Sequence, residues 1–419
     1  MLVVYAFFIP IDSHAKSSLL SVMLILFIYK GDIWKSLKEV LSNKVVQVFT
    51  LLYFFWIFGF TYTENIKEAV NGMYKAKYLL LPLFFLTFLD KRYAFRVLTA
   101  FVIGMLFSEL VSYSISLHIF PEQFYIADFK VYKTIYHDPA PFFNHIDHSI
   151  GLAVVVSLLL YQFLNNKQSI IVKTISILFM LSASINMSFI GGRTGYVTYI
   201  ILIITTFLIS SKNQIKKSIV ISILLVSFIA SMAYSISPMI NSRVNQTVES
   251  LKDAYNNENF ETSLGIRIGL VKYSLGVISE NIFFGVGTGD AIDEVKKTVP
   301  SNHKGILRMG EMHNVYIQTM LQFGLFGLCL LFYLFYRVWN YPAEDKKKSD
   351  ILKLLTMTII LVMIPGKFYG HFVLPMYATI VSAMIANKEQ NIKYKIINKS
   401  IIFKYLILVF IFYVIAIVR

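Results

Sequence analysis

The stretch His313-Asn-Val-Tyr-Ile-Gln-Thr-Met-Leu-Gln-Phe-Gly-Leu-Phe-Gly327 places a histidine at the start of an apolar helix. Glycines follow about three to four turns further along that helix. The longest polar interval of the chain ends at this histidine, and long apolar runs lie on both sides of the interval. A titratable side chain where a membrane-spanning helix meets water predicts chemistry at the membrane surface rather than conduction through the membrane.

The composition predicts an all-α polytopic membrane protein. The mean hydropathy is +0.63, and 56% of the 419 residues are hydrophobic while 15% are charged. Long apolar runs recur along the whole chain, and they are continuous rather than alternating as in barrel strands. Lysines in cytoplasmic connections explain the net charge of +15, so no nucleic-acid partner is expected. The single cysteine, Cys329, excludes an intrachain disulfide and a thiolate metal site.

Apolar windows of about 20 residues predict twelve or thirteen transmembrane helices. They divide the chain into an N-terminal bundle of about nine spans (1–237), a loop (238–313) and C-terminal transmembrane helices (314–419). Basic residues cluster in alternate connections, which predicts that these connections are cytoplasmic and that the N-terminus is inside. These basic residues are Lys30, Lys35, Lys38, Lys44, Lys91, Arg92, Arg96, Lys212, Lys216, Lys217, Arg337, Lys346, Lys347, Lys348, Lys388, Lys393, Lys395 and Lys399. The two long connections, 118–148 and 238–313, are therefore predicted to face outward.

The outer loop 238–313 is predicted to contain short helices rather than a flexible linker. One helix is expected from about Pro238 to Ala254, with the proline in its first turn. A second is expected from Ser263 to Ser279, where apolar residues recur at helical spacing. The run Gly285-Val-Gly-Thr-Gly-Asp290 superficially resembles a dinucleotide fingerprint, but that motif requires a preceding strand and a βαβ unit. We therefore interpret the run as a tight turn.

Three outward-facing residues are candidates for catalysis. Arg193 stands between glycines at the start of a span, Arg267 lies in the outer loop, and His313 lies at the end of that loop. Taken singly, Arg193 is more simply explained as a snorkelling interfacial arginine and Arg267 as a solvated loop charge, whereas His313 fits an interfacial helix-start residue equally well. Together on one side of the membrane they fit one task, because arginines bind diphosphate bidentately and a neutral histidine removes a proton near pH 7.

Other polar residues have simpler interpretations beside the functional ones. Lys75 and Lys77 also oppose the charge bias, and they are expected to contact lipid headgroups or a lipid diphosphate. Glu109 is expected to face the bundle interior and to pair with a buried partner. The segment His145-Ile-Asp-His148 invites a metal site, but no further ligands have convincing spacing, so a polar helix cap is expected.

Several motifs, in order, resemble those of the O-antigen ligase family. Gly192-Arg-Thr-Gly-Tyr-Val197 is similar to the family's arginine motif. Its pattern in the outer loop is matched by Ser263-Leu-Gly-Ile-Arg-Ile-Gly269 and by Asn281-Ile-Phe-Phe-Gly-Val-Gly-Thr-Gly289. Its histidine motif is matched by His313-Asn-Val-Tyr-Ile together with Gln322-Phe-Gly-Leu-Phe-Gly327. The resemblance covers roughly 185–335, whereas the first half matches only in hydropathy.

The resemblance implies a metal-independent, inverting glycosyltransferase of the GT-C type in the inner membrane of a Gram-negative bacterium. The donor would be O-antigen on undecaprenyl diphosphate, the acceptor a sugar hydroxyl of lipid A-core, and the reaction would take place at the periplasmic face without a cofactor. His313 would be the general base, and Arg193 and Arg267 would bind the diphosphate, with Lys75 and Lys77 as further candidates.

Three other functions remain open from the sequence. An O-antigen polymerase uses the same donor and differs in the acceptor, and a protein O-oligosaccharyltransferase transfers the glycan to serine. A flippase or transporter for the lipid-linked glycan also fits the span count, but it predicts charged residues along a path through the membrane. Only Glu109 is clearly placed in mid-span, and this favours an enzyme.

Overall fold

The computed structural model describes residues 1–30, 33–126, 129–211, 214–366 and 368–387, and most of these residues are helical. The α-helices of the first half are α1 (Leu2–Phe8), α2 (Ser13–Lys30), α3 (Ile33–Val40), α4 (Lys44–Phe60), α5 (Ile66–Ala76), α6 (Leu81–Phe85), α7 (Ala94–Ser116), α8 (His145–Asn165) and α9 (Ile170–Ser188). Those of the second half are α10 (Arg193–Ser210), α11 (Ile215–Ile236), α12 (Pro238–Asn256), α13 (Ser263–Glu280), α14 (Ala291–Thr298), α15 (Lys304–Leu307), α16 (Val315–Trp339), α17 (Lys346–Val362) and α18 (Val373–Ile385). Short 3-10 helices cover Lys77–Leu80 and Lys91–Tyr93.

The chain is a multi-pass helical membrane protein. Six helices of the described residues are long and apolar enough to cross a membrane, and a seventh span is possible where α2 and α3 join across a sharp bend. These six spans are Lys91–Ser116, His145–Asn165, Ile170–Ser188, Arg193–Ser210, Ile215–Ile236 and Val315–Trp339. The predicted count of twelve or thirteen is not reached. The predicted span 400–418 and the lysines Lys212, Lys388, Lys393, Lys395 and Lys399 lie outside the described residues.

Several apolar windows form helices that are too short to span a bilayer. The window 2–12 yields α1, which has 7 residues. The window 371–387 yields α18, which has 13 residues, or about 20 Å at 1.5 Å per residue. The window 72–89 is divided among α5, a 3-10 turn and α6, with Pro82 in the first turn of α6. Proline has no N–H, and its ring would clash with the carbonyl one turn back, so one continuous helix is disfavoured there.

The connection 118–148 contains a β-hairpin that the all-α prediction did not include. Strand β1 (Gln123–Ile126) pairs antiparallel with β2 (Phe129–Lys133). Tyr132 of β2 packs on Val111 and Ile115 near the C-terminal end of α7. The prediction of a purely helical fold is therefore wrong in this connection, because two short strands give no apolar run that a hydropathy window detects.

The membrane helices share one large apolar core, in which α8 packs against α10, and α18 is buried along its whole length. Glu109 of α7 lies within this bundle and is fully buried. The hydroxyl of Ser182 on α9 donates to its Oε1 atom. The prediction that Glu109 faces the interior and has a buried partner is confirmed.

Polar caps fix where the helices around the outer face begin. The side chains of Asn144, Thr262 and Asn314 accept hydrogen bonds from backbone N–H groups in the first turns of α8, α13 and α16. Such caps satisfy donors that have no partner within the helix. The cap at Asn144 confirms that the His145 segment is a polar helix start. The predicted helices of the outer loop are also confirmed as α12 and α13.

A break in α16 joins this helix to the glycine run of the outer loop. Gly324 has φ 62° and ψ −159°, which opens the helical hydrogen-bond ladder. The freed carbonyl of Leu321 accepts from the N–H of Val286 at 2.7 Å, and the freed N–H of Leu325 donates to the carbonyl of Ile282 at 2.7 Å. Gly285 has φ 70° and completes the predicted tight turn. The glycine run of the outer loop and the glycine segment of α16 therefore contact each other through backbone hydrogen bonds.

Candidate active site

Arg193 is the first residue of α10, at the outer end of the bundle. Its Nη2 atom donates to Oε1 of Gln246 on α12 at 3.2 Å. The glycines beside it permit close packing, because a Cβ on Gly192 or Gly195 would lie 2.2 or 2.1 Å from the hydroxyl oxygen of Ser149 on α8. The glycines thus let α10 approach α8 closely, and Gln246 of α12 holds the Arg193 side chain.

A second arginine that the sequence analysis did not select, Arg243 of α12, lies beside Arg193. Its Nη1 atom donates to the same Oε1 of Gln246 at 3.3 Å. Its Nε atom is buried and has no hydrogen-bond partner among the described residues. Arg193 was selected from the sequence because a basic residue on the predicted outer side opposes the charge bias. The same reasoning applies to Arg243 and would have selected it too.

Arg267 of α13 completes a group of three guanidinium groups. The positive charges of Arg243 and Arg267 both act on Arg193, so Arg193 lies within electrostatic range of each of them. Burial lowers the pKa of the Arg267 guanidinium from its usual value. Since like charges repel and burial disfavours the charged form, a site of this kind favours a bound anion. The structure therefore brings together the two predicted arginines and adds a third.

His313 lies directly before the Asn314 cap of α16, as the sequence predicted. Its φ of 51° is in the left-handed region, a conformation that costs on the order of 1–3 kcal/mol for a residue with a side chain and that recurs at functional sites. The preceding Met312 packs in one apolar cluster with Leu270 of α13 and Leu321 of α16. This cluster connects the segment of His313 to the helix that carries Arg267.

Lys75 of α5 also approaches the segment of His313. Its ammonium group forms a 2.8 Å ion pair with Oε1 of Glu311. Lys77 instead lies over the ring of Tyr74, with its Nζ 3.6 Å from the ring centroid. Both lysines act electrostatically on His371, which precedes α18. The two lysines predicted as diphosphate ligands thus lie near each other on the outer face, and Lys75 has a carboxylate partner.

The carboxylate of Asp138, in the connection before α8, supports the arginine motif. Its Oδ1 atom accepts from the N–H of Gly191 at 3.1 Å, and its Oδ2 atom lies 2.9 Å from Nδ1 of His145. His148 points elsewhere, into the bundle, where its ring nitrogens contact Ser108 and Asn186. Within the described residues no three histidine, cysteine or acidic side chains lie together as metal ligands. His145 and Asp138 therefore stabilise the position of the loop before Arg193.

An apolar groove extends along the membrane helices from the arginines. It encloses about 420 Å³ between α9, α10, α11 and α12, and is called the carrier groove below. Its lining residues are Ser184, Met187, Ser188, Tyr196, Tyr199, Ile200, Ile229, Ala230, Ser231, Ala233, Tyr234, Ile240 and Val244. Tyr196 lies one turn after Arg193, and Val244 directly follows Arg243. Arg193 and Arg243 therefore stand beside a groove that is suited to an apolar chain.

Residues 177–332 match the family model described as O-antigen ligase. Over these residues the chain is similar to the O-antigen ligase family. The chain is also 27% identical over 241 residues to an uncharacterized protein of Haemophilus influenzae. That match covers 54% of this chain and 59% of the relative, so the chain spans less than two thirds of the relative's length.

The O-antigen ligase region contains all three arginines, His313 and the glycine run that pairs with the break at Gly324. It also contains every residue that lines the carrier groove. Lys75, Lys77 and Asp138 lie before it, in the part of the chain that the resemblance covers only in hydropathy. The site is therefore assembled from the family region and supported by residues outside it.

Proposed function

We propose that this protein is an O-antigen ligase that transfers a glycan from undecaprenyl diphosphate to a sugar hydroxyl of lipid A-core. The observation that carries this proposal is the position of Arg193 and Arg243 beside the carrier groove, with Arg267 within electrostatic range of Arg193. A lipid diphosphate has an anionic head and a long apolar tail, and the two parts of this site match them in order. A transporter requires charged residues along a path through the membrane, whereas the residues that line the carrier groove are all uncharged.

The arginines favour a reaction in which charge develops on the leaving group. The acceptor oxygen attacks the anomeric carbon, the bond from that carbon to the diphosphate oxygen breaks, and undecaprenyl diphosphate leaves as an anion. Guanidinium groups that are already in place stabilise this charge without reorganisation, the task that a metal ion performs in many nucleotide-sugar enzymes. Direct attack predicts inversion at the anomeric carbon, with no metal and no cofactor required.

His313 is proposed as the general base that takes the proton of the acceptor hydroxyl. A positioned base of suitable pKa accelerates such a step by about 10²–10⁴-fold. His313 lies at the start of α16, beside an apolar cluster that includes residues of α13, the helix that carries Arg267. This position supports the role. Lys75 and Lys77 are proposed as additional contacts to phosphate groups or lipid headgroups at the rim. The lysine-rich connections lie at the helix ends opposite the site. Because such connections tend to stay in the cytoplasm, they favour a periplasmic position of the site in a Gram-negative inner membrane.

Transfer by the purified protein tests this proposal. Lipid-linked O-antigen and rough lipopolysaccharide are supplied in detergent with EDTA throughout, and wild type is compared with His313→Ala and His313→Gln. We expect a lipopolysaccharide ladder from wild type and a loss of about 10²-fold or more in both variants. The exposed His137→Gln, in the hairpin connection, serves as the matched control and is expected to transfer normally.

The outcomes separate the alternatives. Longer glycans on the lipid carrier, without any ladder on lipopolysaccharide, would identify a polymerase. Transfer to a serine-containing protein would identify an O-oligosaccharyltransferase. The absence of transfer to every acceptor, together with movement of the lipid-linked glycan across a vesicle membrane, would reject the enzyme. Activity that depends on a metal ion would reject the proposed chemistry while leaving the family assignment intact.

A further inference from the structure

We infer that Arg243, with Arg193, binds the phosphate group that is attached to the polyprenyl chain, so that Arg243 anchors the carrier while Arg267 serves the sugar-linked phosphate. This inference rests on the proposed donor, a polyprenyl diphosphate. It assigns a binding role to a residue outside the matched motifs and divides the three arginines between the two phosphates.

The backbone before Arg193 is shaped to admit the Arg243 side chain. A Cβ on Gly191 would lie 2.6 Å from Nη2, 2.9 Å from Nε and 3.1 Å from Cζ of Arg243. The guanidinium therefore lies flat against the Gly191 backbone, where any other residue would displace it. The carboxylate of Asp138 accepts a hydrogen bond from the N–H of the same glycine at 3.1 Å. Gly191, directly before the arginine motif, thus leaves the space that the Arg243 side chain occupies.

The hydrogen bonds of Arg243 leave its charge available to an anion. Arg193 and Arg243 share one neutral acceptor, Oε1 of Gln246, at 3.2 and 3.3 Å. The carboxylate of Asp138 acts on the neighbouring Tyr196 but is itself paired with His145. The buried Nε of Arg243 has no partner among the described residues. A buried donor without a partner is unfavourable, and a phosphate oxygen would supply the missing acceptor.

The position of Arg243 selects the phosphate nearer the chain. On α12 it stands between Ile240 and Val244, which both line the carrier groove. Arg193 is one turn from Tyr196, which lines the same groove. Arg267 belongs to α13, which contributes no residue to the groove lining and which packs both on α12 and on α16, the helix that follows His313. The polyprenyl-linked phosphate therefore meets Arg193 and Arg243, and the sugar-linked phosphate meets Arg267.

This division has a kinetic consequence. The chain-linked phosphate keeps its charge during transfer, whereas the sugar-linked phosphate gains charge as its bond to the anomeric carbon breaks. A contact to the former stabilises ground state and transition state equally and affects KM. A contact to the latter strengthens in the transition state and affects kcat. Loss of Arg243 should therefore raise KM for the donor, and loss of Arg267 should lower kcat.

Binding of two defined lipids to the full-length protein in nanodiscs tests the inference. Undecaprenyl phosphate and undecaprenyl diphosphate are titrated against wild type, Arg243→Gln, Arg267→Gln and Gly191→Ala. We expect Arg243→Gln to weaken binding of both lipids by about 10- to 100-fold. Arg267→Gln should weaken binding of the diphosphate alone. Gly191→Ala should reproduce the effect of Arg243→Gln, because it displaces the same guanidinium and removes no charge.

Two matched controls accompany these variants. Arg308→Gln removes an exposed arginine from the same outer loop, and Gly276→Ala adds a Cβ where no atom lies within 4 Å. Both should bind the two lipids as wild type does. Normal binding of undecaprenyl phosphate by Arg243→Gln, or by Gly191→Ala, would overturn the inference while leaving the proposed donor intact. A wild-type protein that binds neither lipid would overturn both the inference and the proposed donor.

Discussion

The ammonium group of Lys75 lies 2.8 Å from Oε1 of Glu311, and this ion pair joins α5 to the segment that leads into His313. Both side chains are about one-third exposed, at 31% and 29%. An ion pair of that exposure contributes at most about 1 kcal/mol to the free energy of unfolding. Its main effect is therefore on the position of the backbone before His313 rather than on stability.

Removing this ion pair should reduce transfer more than stability. We expect Lys75→Met and Glu311→Gln each to lower the transfer rate by about tenfold or more, because small displacements of a catalytic group are costly. The double variant should lose no more than either single variant, since the two residues act as a pair. The comparable ion pair of Lys272 and Glu258, at 2.7 Å in the outer loop, provides the control, and Lys272→Met should leave transfer unchanged. Additive losses at Lys75 and Glu311 would indicate independent roles.

Gly324→Ala should disrupt the fold of α16. The φ and ψ of 62° and −159° are accessible almost only to glycine, and a Cβ would lie 2.2 Å from the carbonyl carbon of Phe283. We expect a destabilisation above about 4 kcal/mol, seen as loss of monodisperse protein in detergent or a large fall in the unfolding temperature. The control Gly276→Ala, in the middle of α13, should be neutral or slightly stabilising. An unchanged unfolding temperature for Gly324→Ala would contradict the observed break.

Asp290 should be the most important carboxylate of the outer loop for stability. It is 6% exposed, and it accepts hydrogen bonds from the Thr63 hydroxyl at 2.8 Å and from the N–H groups of Glu64 and Asn65 at 2.9 and 2.7 Å. Asp290→Ala leaves these donors unsatisfied, so we expect a loss of about 2–5 kcal/mol in the free energy of unfolding. Thermal unfolding of the purified protein measures it. The exposed Glu280→Ala, at the end of α13, should have no effect, and equal effects of the two variants would refute the assignment.

His371 should make stability depend on acidic pH. Burial and the positive charges of Lys16, Lys77, Lys75 and His14 lower the pKa of its imidazole, whose Nδ1 contacts the Tyr78 hydroxyl at 3.2 Å. In the unfolded chain the imidazole titrates near its usual pKa of about 6.5. Its contribution is therefore complete above about pH 6.5 and is lost as the pH falls through the lower folded pKa.

The unfolding temperature measured from pH 7.5 to pH 5 tests this dependence. Wild type should lose stability towards pH 5, and His371→Gln should lose less because it removes one titrating group. His137→Gln, in an exposed connection, is the control and should follow wild type. Parallel curves for wild type and His371→Gln would show that His371 does not contribute to the pH dependence.

Much of the local structure follows from the residues themselves. Pro238 and Ser263 predicted the starts of α12 and α13, and both helices begin there. Glu109 was predicted to face the bundle interior, and it is fully buried. These features depend on capping, helical periodicity and the cost of exposing a charge to lipid, which neighbouring residues decide.

Among the described residues fewer long spans form than predicted, because hydropathy records composition rather than continuity. The window 72–89 is largely apolar, yet its helix is interrupted before Pro82. The hairpin formed by β1 and β2 has no apolar run of transmembrane length. The pairing of Gly324 with the backbone of Phe283 depends on residues far apart in sequence, so the spacing of the glycine motifs revealed the turn but not its partner.

By itself the sequence determined that this chain enters a membrane and that residues 185–335 resemble the O-antigen ligase family. Apolar length fixes the first property because partitioning between water and lipid is nearly additive along the chain, and the order of the arginine, glycine and histidine motifs carries the second. Only the tertiary structure decided that Arg243 lies against Gly191, that Arg193 shares Gln246 with it, and that both stand beside the carrier groove. Those relationships require helices from separate parts of the chain to meet, and packing, not local sequence, sets where they meet.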